Sequence, residues 1–227
     1  MAMLLHIETS TEQCSVALSD STKLLVHKSL LEDGFKHAVK LHVFIDEVLQ
    51  EANISPTELD AVAVSAGPGS FTGLRIGSVA AKGLCFALDI PLITIPTLQL
   101  LAAPHWQHSK VVALLDARRD EVYTATYDTG GNELTKTQAH ILTETSFAEL
   151  AQVTACFVGT GAEKAKALLP KNANWHFLPT HPIATAMLPL ATAAFKIKEF
   201  TNSTNFAPTY IKPVRITPSK KDTLGRV

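Results

Sequence analysis

The sequence has few cysteines, few aromatic residues and no excess of charge of either sign. Its 227 residues include three cysteines, 7% aromatic residues, and 20 basic against 21 acidic side chains. Cys14, Cys85 and Cys156 lie about 70 residues apart, so they imply neither a disulfide framework nor a CxxC metal site. Reduced thiols in the cytoplasm are therefore expected. The balanced charge provides no bulk positive field that would draw the chain to nucleic acid.

Long apolar runs are also lacking. No segment reaches the roughly 18 to 20 apolar residues that a membrane span needs, and no cationic region precedes the short apolar run at the N-terminus. Hydrophobic residues nevertheless make up 46% of the chain, which is enough to build a core. These features predict a soluble, unsecreted globular protein without membrane contact.

The predicted elements occur in two similar cycles. The first cycle comprises antiparallel strands over 3–8, 14–18 and 23–31, a helix over 35–52, a strand over 60–66, a helix over 72–88 and a strand over 91–95. The second comprises strands over 111–117 and 121–128, a helix over 145–151, a strand over 155–159, and helices over 163–169 and 183–200. This order predicts a duplicated α/β fold in which each half has a mixed sheet and helices.

A glycine-rich loop, SAGPGSFTGLRIG, covers residues 65–77. It lacks the lysine of the GxxxxGK[ST] phosphate loop, and its glycine spacing departs by one residue from the GxGxxG dinucleotide fingerprint. Gly67, Gly69 and Ser70 can still form a vestigial phosphate loop, because backbone N–H groups at a helix N-terminus bind anions. Ser70 or Thr72 is the expected helix cap.

Small residues follow the loop at every fourth position, at Gly73, Gly77 and Ala81, where another backbone could approach the helix closely. On the preceding predicted helix, Val39 and Val43 lie one turn apart, opposite the main apolar face. Together these five residues predict an interface for a partner helix. The alternative is plain burial inside the chain.

Four segments carry a resemblance to a known family. HIETSTEQCSVAL, SAGPGSFTGLRIG, LLDARRDEVYTATY and PTYIKP occur in this order and spacing, and with them the chain resembles the bacterial TsaB (YeaZ) family up to about Pro213. The glycine-loop motif is partly shared with the catalytic paralogue TsaD, so the short length and the DAR-EVY segment favour TsaB. The resemblance implies the duplicated actin and hexokinase type of fold (ASKHA, ribonuclease H-like). The halves are expected over 1–104 and 105–213, and a flexible tail over 214–227.

The resemblance also implies a function. Proteins of this family act together with TsaD and TsaE. The complex moves a threonylcarbamoyl group onto N6 of adenosine 37 in tRNAs that read codons beginning with A. A non-catalytic scaffold is therefore expected, which pairs with TsaD, joins TsaE in a ternary complex and forms a homodimer when alone. It would meet tRNA only through the complex. No intrinsic cofactor is expected, and ATP or ADP would bind only in the assembled complex.

Several residues argue against chemistry in this chain. The paralogue resembles a metalloenzyme with two histidines at i and i+4 on a helix, whereas His37 and His42 are five apart and point about 140° away from each other. His37 is therefore expected to be a core or interface histidine. The remaining histidines, including His105 and His108, show no ligand spacing. No metal site and no catalytic residue are predicted.

The phosphate-binding positions of this fold class also look degraded. Glu8 stands where the first phosphate loop usually has aspartate, and Arg118 and Arg119 stand where a second hairpin would have glycines. Arg75, Arg118 and Arg119 could still contact an anion or an acidic partner.

Other functions stay open at the level of the sequence. One is an enzyme, either a metal-dependent peptidase or an ATP-using kinase-like transferase. Another is direct tRNA binding by the basic C-terminal residues, which are Lys212, Arg215, Lys220, Lys221 and Arg226.

Overall fold

The computed structural model describes residues 2–32 and 36–212. The first part of the chain contains strands β1 (Met3–Glu8), β2 (Gln13–Asp20) and β3 (Leu24–Leu31), helix α1 (His37–Ala52), strand β4 (Ala61–Ser65), helix α2 (Phe71–Leu88), strand β5 (Leu92–Ile95) and helix α3 (Thr97–Ala102). The second part contains β6 (Lys110–Asp116), β7 (Glu121–Tyr127), β8 (Glu133–Ile141), β9 (Ala155–Val158), α4 (Ala162–Leu168), β10 (Trp175–Leu178) and α5 (Met187–Lys196). The predicted tail over 214–227 lies outside the described residues.

The two sheets have the same topology. The first sheet has the strand order β3-β2-β1-β4-β5, and the second has β8-β7-β6-β9-β10. In each, the first three strands form an antiparallel meander and the next two add in parallel. The predicted duplicated α/β fold of the actin and hexokinase type is confirmed.

Two helices cross between the halves. α3 follows β5 but packs against the second sheet, where Leu98, Leu101 and Ala102 join the core formed by β6, β7 and β9. α5 follows β10 but packs against the first sheet, through Met187 and Ala191. The halves are therefore interlocked, since each sheet is covered in part by a helix from the other half.

Two predicted helices are shorter or absent. Residues 145–151 form turns and one 3-10 turn, Ala148–Leu150, instead of a helix. Ser146 Oγ accepts from Thr143 N at 2.9 Å, and Phe147 adopts a left-handed φ of 61°, so the local hydrogen bonds compete with helix formation. The helix predicted over 183–200 is a 3-10 turn, Ala184–Ala186, followed by α5, which ends before Lys198 at a φ of 58°.

Three elements were not predicted. They are α3 and the outermost strands of the second sheet, β8 and β10. β8 is largely exposed and polar, and β10 has only four residues. β8 therefore lacks the apolar pattern by which strands are predicted, and β10 is too short for its alternation to stand out.

α2 has the length and composition of a membrane-crossing helix, with 18 residues and a mean hydropathy of 1.2. The expectation that no segment reaches this length and apolarity does not hold for α2. A single such helix is weak evidence for a span, because core helices of soluble proteins meet the same criterion. Here Leu74 and Ala81 are fully buried, and Ala81 belongs to the core on the first sheet.

Candidate functional site

The glycine loop connects β4 to α2, where Ser70 caps the helix. Ser70 Oγ accepts a hydrogen bond from Gly73 N at 3.2 Å, which confirms one of the two predicted caps. The loop is tied to the turn after β1, because Ser70 N donates to Ser10 O at 2.7 Å. The glycine loop and the turn after β1 therefore bind directly to each other.

The chain's own carbonyl groups occupy the space beside the loop glycines. A methyl group placed on Gly67 would lie 2.5 Å from Thr209 O, and one placed on Gly69 would lie 2.3 Å from Ser10 O. Gly67 has a φ of 98°, which glycine adopts readily. On this side of the loop, backbone oxygens of the chain already take the close approach that the glycines permit.

The segment over 201–210 runs across the glycine loop and holds this arrangement. Thr209 N donates to Ala66 O at 2.8 Å, and the rings of Phe71 and Tyr210 lie 5.2 Å apart. Lys82 Nζ, on α2, donates to Thr204 O at 3.2 Å and to Phe206 O at 3.0 Å. The first residues of the PTYIKP motif therefore cover the glycine loop.

The small residues of α2 face the chain's own sheet. A methyl group on Gly73 would lie 2.1 Å from Thr9 O, one on Gly77 would lie 2.2 Å from Thr9 Oγ1, and Ala81 is fully buried. Thr9 Oγ1 also donates to Gly73 O at 2.8 Å. The prediction that Gly73, Gly77 and Ala81 form a partner surface is wrong, because they allow α2 to pack closely on the end of β1.

The opposite side of these helices is apolar and exposed. On α1, Val39 and Val43 are 68% and 46% exposed, and on α2, Val79 and Phe86 are 70% and 88% exposed. Gly83 lies between Val79 and Phe86 on the same face, and a methyl group there would meet nothing within 4 Å. We call Val39, Val43, Val79 and Phe86 the outer apolar face. Arg75 is exposed one turn before Val79, with its guanidinium 4.1 Å from the Phe71 ring centroid.

Glu8 is buried at the end of β1, next to the turn over residues 9–12. Its Oε1 accepts from Ser10 N at 2.5 Å, and its side chain is fully buried. Burial raises the pKa of Glu8 to about 7, while the hydrogen bond from Ser10 N lowers the pKa in part. A carboxyl group with this pKa carries a proton for much of the time at neutral pH.

Glu8→Gln is expected to remove a pH dependence of stability. The native pKa of about 7 lies above the ordinary value of 4.5, so the native state binds more protons and loses stability as pH rises between these values. The loss amounts to about 3 kcal/mol. Urea unfolding at pH 5 and pH 8 measures the free energy of unfolding. Relative to the wild type, Glu8→Gln should be more stable at pH 8 than at pH 5.

The difference between the two proteins isolates this effect. Burial lowers the pKa of His6 to about 3, so His6 makes the chain more stable as pH rises. This contribution is the same in the wild type and in Glu8→Gln, and it cancels in their difference. Glu12→Gln alters an exposed carboxyl group of the same turn and serves as the matched control. If the free energies of unfolding of the wild type and Glu8→Gln differ by the same amount at both pH values, the role assigned to Glu8 is contradicted.

The helical histidines do not form a metal pair. His37 is fully buried, and its Nε2 lies 3.4 Å from Gln13 O. Burial lowers the pKa of His37, which keeps the imidazole neutral. His42 is exposed on the other side of α1. The prediction was a core or interface histidine at position 37, and the core alternative is confirmed, because the side chain is buried within the chain.

The hairpin between β6 and β7 is charged rather than glycine-rich. Asp116 Oδ1 accepts from Arg118 N at 2.6 Å and pairs with Lys164 Nζ at 2.7 Å. Lys212 Nζ pairs with Glu121 on the next strand. Among the described residues, neither Arg118 nor Arg119 has a carboxylate partner. Both adopt left-handed backbone conformations, with φ values of 69° and 52°.

The structure brings together one further set of residues, two histidines and a cysteine that are about 50 residues apart in the sequence. Donor atoms of His105, His108 and Cys156 lie within 4.8 Å of one another. The HxxH spacing of residues 105–108 was a signal for this set. Cys156, on β9, could be placed beside the histidines only by the fold.

Comparison with known proteins identifies the family. A family model described as TsaD, tRNA N6-adenosine threonylcarbamoyltransferase, matches residues 34–222. A crystal structure of an uncharacterized Pseudomonas aeruginosa protein with similarity to the peptidase YeaZ superposes with a TM-score of 0.80. It is 30% identical over 93% of this chain and 100% of that one. The chain belongs to the TsaB (YeaZ) family, within the larger family of the TsaD model.

Curated relatives carry the TsaB name. The Escherichia coli K12 protein, "tRNA threonylcarbamoyladenosine biosynthesis protein TsaB", is 36% identical over 132 residues, which cover 57% of this chain and 56% of that protein. The Haemophilus influenzae protein of the same name is 40% identical over 123 residues, covering 53% and 51%. The chain therefore spans about half the length of the curated TsaB relatives it matches.

Proposed function

We propose that this chain is a non-catalytic, cytoplasmic subunit that pairs with TsaD, joins TsaE in a ternary complex and supports threonylcarbamoyl transfer onto N6 of adenosine 37 of tRNA. The outer apolar face on α1 and α2 carries this proposal. The TsaB name of the curated relatives supports the pathway. The tRNA would be met through the complex, and any ATP or ADP would bind in the assembled complex.

The outer apolar face has the composition of an interface centre. Phe86 and Val79 are among the most exposed large apolar side chains of the described residues, and Val39 and Val43 lie on the neighbouring helix. Apolar side chains grouped on one face of a soluble protein cost free energy in water, and a partner that covers them removes this cost. An aromatic anchor such as Phe86 is typical of the residues that dominate binding energy. The same face could form a homodimer when TsaD is absent.

A scaffold role fits the phosphate-binding loops better than an enzymatic one does. The close approach at Gly67 and Gly69 is taken by Thr209 O and Ser10 O. In the second half, Lys164 neutralises Asp116, the acidic residue of the corresponding hairpin. These contacts weigh against an ATP-using transferase. A metal-dependent peptidase centred on α1 is disfavoured separately, because His37 is buried and His42 is exposed on the other side of the helix.

The experiment that tests the proposal combines purified chain with TsaD from the same organism. Size exclusion with light scattering is expected to show a heterodimer, and tRNA modification by TsaD and TsaE is expected to require the chain. The chain alone should neither bind ATP at micromolar concentration in calorimetry nor modify tRNA. Absence of a heterodimer, or ATP turnover by the isolated chain, would contradict the proposal.

Arg118 and Arg119 are expected to contribute to the complex rather than to folding. Their left-handed conformations favour glycine, so the double substitution Arg118→Gly and Arg119→Gly should change the free energy of unfolding by at most about 1 kcal/mol. Removing two exposed cations should slow reconstituted tRNA modification at low salt and reduce its salt dependence.

Lys198→Gly provides the matched control for the arginine pair. Lys198 is also an exposed cation with a left-handed φ, of 58°, and it lies after α5 rather than on the hairpin. Its replacement should leave tRNA modification unchanged. Equal modification rates for the arginine double variant and the wild type at every salt concentration would show that the hairpin cations serve no partner.

A further inference from the structure

A cluster of nitrogen and sulfur donors lies where the chain crosses from the first half to the second. His105 ends a 3-10 turn after α3, His108 follows in the loop before β6, and Cys156 lies on β9. All three donor atoms lie within 4.8 Å of one another. The cluster is remote in sequence from the glycine loop and from the outer apolar face.

The fold holds the three residues in place from separate elements. His108 N donates to His105 O at 3.0 Å, which closes the turn that carries both imidazoles. Ser109 Oγ donates to Thr154 O at 2.5 Å and ties this turn to the start of β9. Cys156 is fully buried in the core that also includes Leu98 and Leu101 of α3, so its sulfur has a fixed position.

The donor set has the chemistry of a zinc ligand set. Zinc is bound by cysteine sulfur at about 2.3 Å and by histidine nitrogen at about 2.0 to 2.1 Å in tetrahedral geometry. These bond lengths require donor atoms about 3.3 to 3.6 Å apart. A pair of donors at the 4.8 Å limit must therefore approach by roughly an ångström, and small rotations of the two half-buried histidine side chains can provide this.

We propose that His105, His108 and Cys156 bind one Zn²⁺ ion. The sulfur and two imidazoles favour zinc over magnesium or calcium, which prefer oxygen ligands. His176 is paired with Cys156 across β10 and β9, and its ring centroid lies 6.3 Å from that of His108. Its imidazole or a water molecule completes the tetrahedron on the solvent side.

Formation of the zinc–sulfur bond releases a proton from Cys156. The Cys156 Sγ–H bond breaks, the sulfur binds zinc as a thiolate, and the proton passes to the buffer. The histidines bind through neutral nitrogens. The ion would thereby link the segment between α3 and β6 to β9 and stabilise the junction between the two halves. This role is independent of any contact with TsaD.

The test uses the full chain, freed of metal by dialysis against a chelator. Titration with Co²⁺ is expected to give a thiolate-to-cobalt charge-transfer band that saturates at one equivalent, and Zn²⁺ is expected to displace the cobalt. Saturating Zn²⁺ should raise the Tm by roughly 5 °C, and binding should release a proton to a pH indicator.

Variants separate the site from adventitious binding. His105→Gln and His108→Gln alter half-buried side chains and should each weaken Zn²⁺ binding at least about tenfold, while Cys156→Ser should abolish the cobalt band. His27→Gln, at an exposed position on β3, should bind as the wild type does. The proposal is overturned if the wild type shows no charge-transfer band. It is equally overturned if both histidine variants bind Zn²⁺ with wild-type affinity.

Discussion

Phe86→Asp is expected to abolish the heterodimer with TsaD at micromolar concentrations while the isolated chain stays folded. Phe86 is 88% exposed, so the substitution removes little packing within the chain, and the free energy of unfolding should change by less than about 0.5 kcal/mol. In an interface, the same substitution removes an aromatic anchor and buries an unpaired carboxylate.

The expected loss of binding is large. An anchor residue contributes about 2 kcal/mol or more, which corresponds to an affinity at least about 30-fold weaker. Calorimetry or surface plasmon resonance with TsaD measures the affinity, and reconstituted tRNA modification should fall with it. If the homodimer uses the same face, light scattering should show the variant as a monomer.

Ile141→Asp is the matched control. Ile141 is 61% exposed on β8, at the edge of the second sheet. α1 and α2 pack on the first sheet instead. Its substitution should leave the affinity for TsaD unchanged. Wild-type binding by Phe86→Asp, or equal losses for the two variants, would place the TsaD contact away from the outer apolar face.

Gly73→Ala is expected to destabilise the chain by about 3 kcal/mol, because the added methyl group would meet backbone. That group would lie 2.1 Å from Thr9 O, a carbonyl oxygen that cannot rotate away as a side chain can. α2 must then shift from β1, which also weakens the 2.8 Å hydrogen bond from Thr9 Oγ1 to Gly73 O. Urea unfolding followed by circular dichroism measures the change.

Gly83→Ala gives the opposite result on the same helix. A methyl group on Gly83 meets nothing within 4 Å, and alanine is the better helix former, so the variant should be more stable by roughly 0.5 to 1 kcal/mol. The pair thus compares one chemical change at two positions of α2. Equal effects of Gly73→Ala and Gly83→Ala would contradict the close packing of α2 on β1.

The elements predicted well are those with a strong apolar pattern. β1, β2, β4, α1 and α2 were predicted to within a few residues, because buried strands and amphipathic or apolar helices leave a clear period in the sequence. Residues 145–151 were predicted as a helix, yet the Ser146 hydrogen bond and the left-handed Phe147 give turns. Such local polar bonds have no periodic signal.

The candidate sites divide in the same way. The sequence indicated that α1 and α2 carry an interface and named Val39 and Val43, whose exposure fits that proposal. It could not tell which side of α2 faces outward, because α2 is apolar around most of its circumference. The structure turned Gly73, Gly77 and Ala81 inward against β1 and left Val79 and Phe86 outside.

By itself, the sequence determined the duplicated order of strands and helices, a helix cap at Ser70 or Thr72 and the family resemblance, since these depend on residues close together in the chain. Only the tertiary structure decided what the glycine loop touches and which donors meet. Thr209 reaches Gly67 because its backbone N–H donates to Ala66 O, and Cys156 reaches His105 and His108 because β9 pairs with β6, the strand that follows the two histidines. The close approach that Gly67 permits is thereby taken by the chain's own backbone.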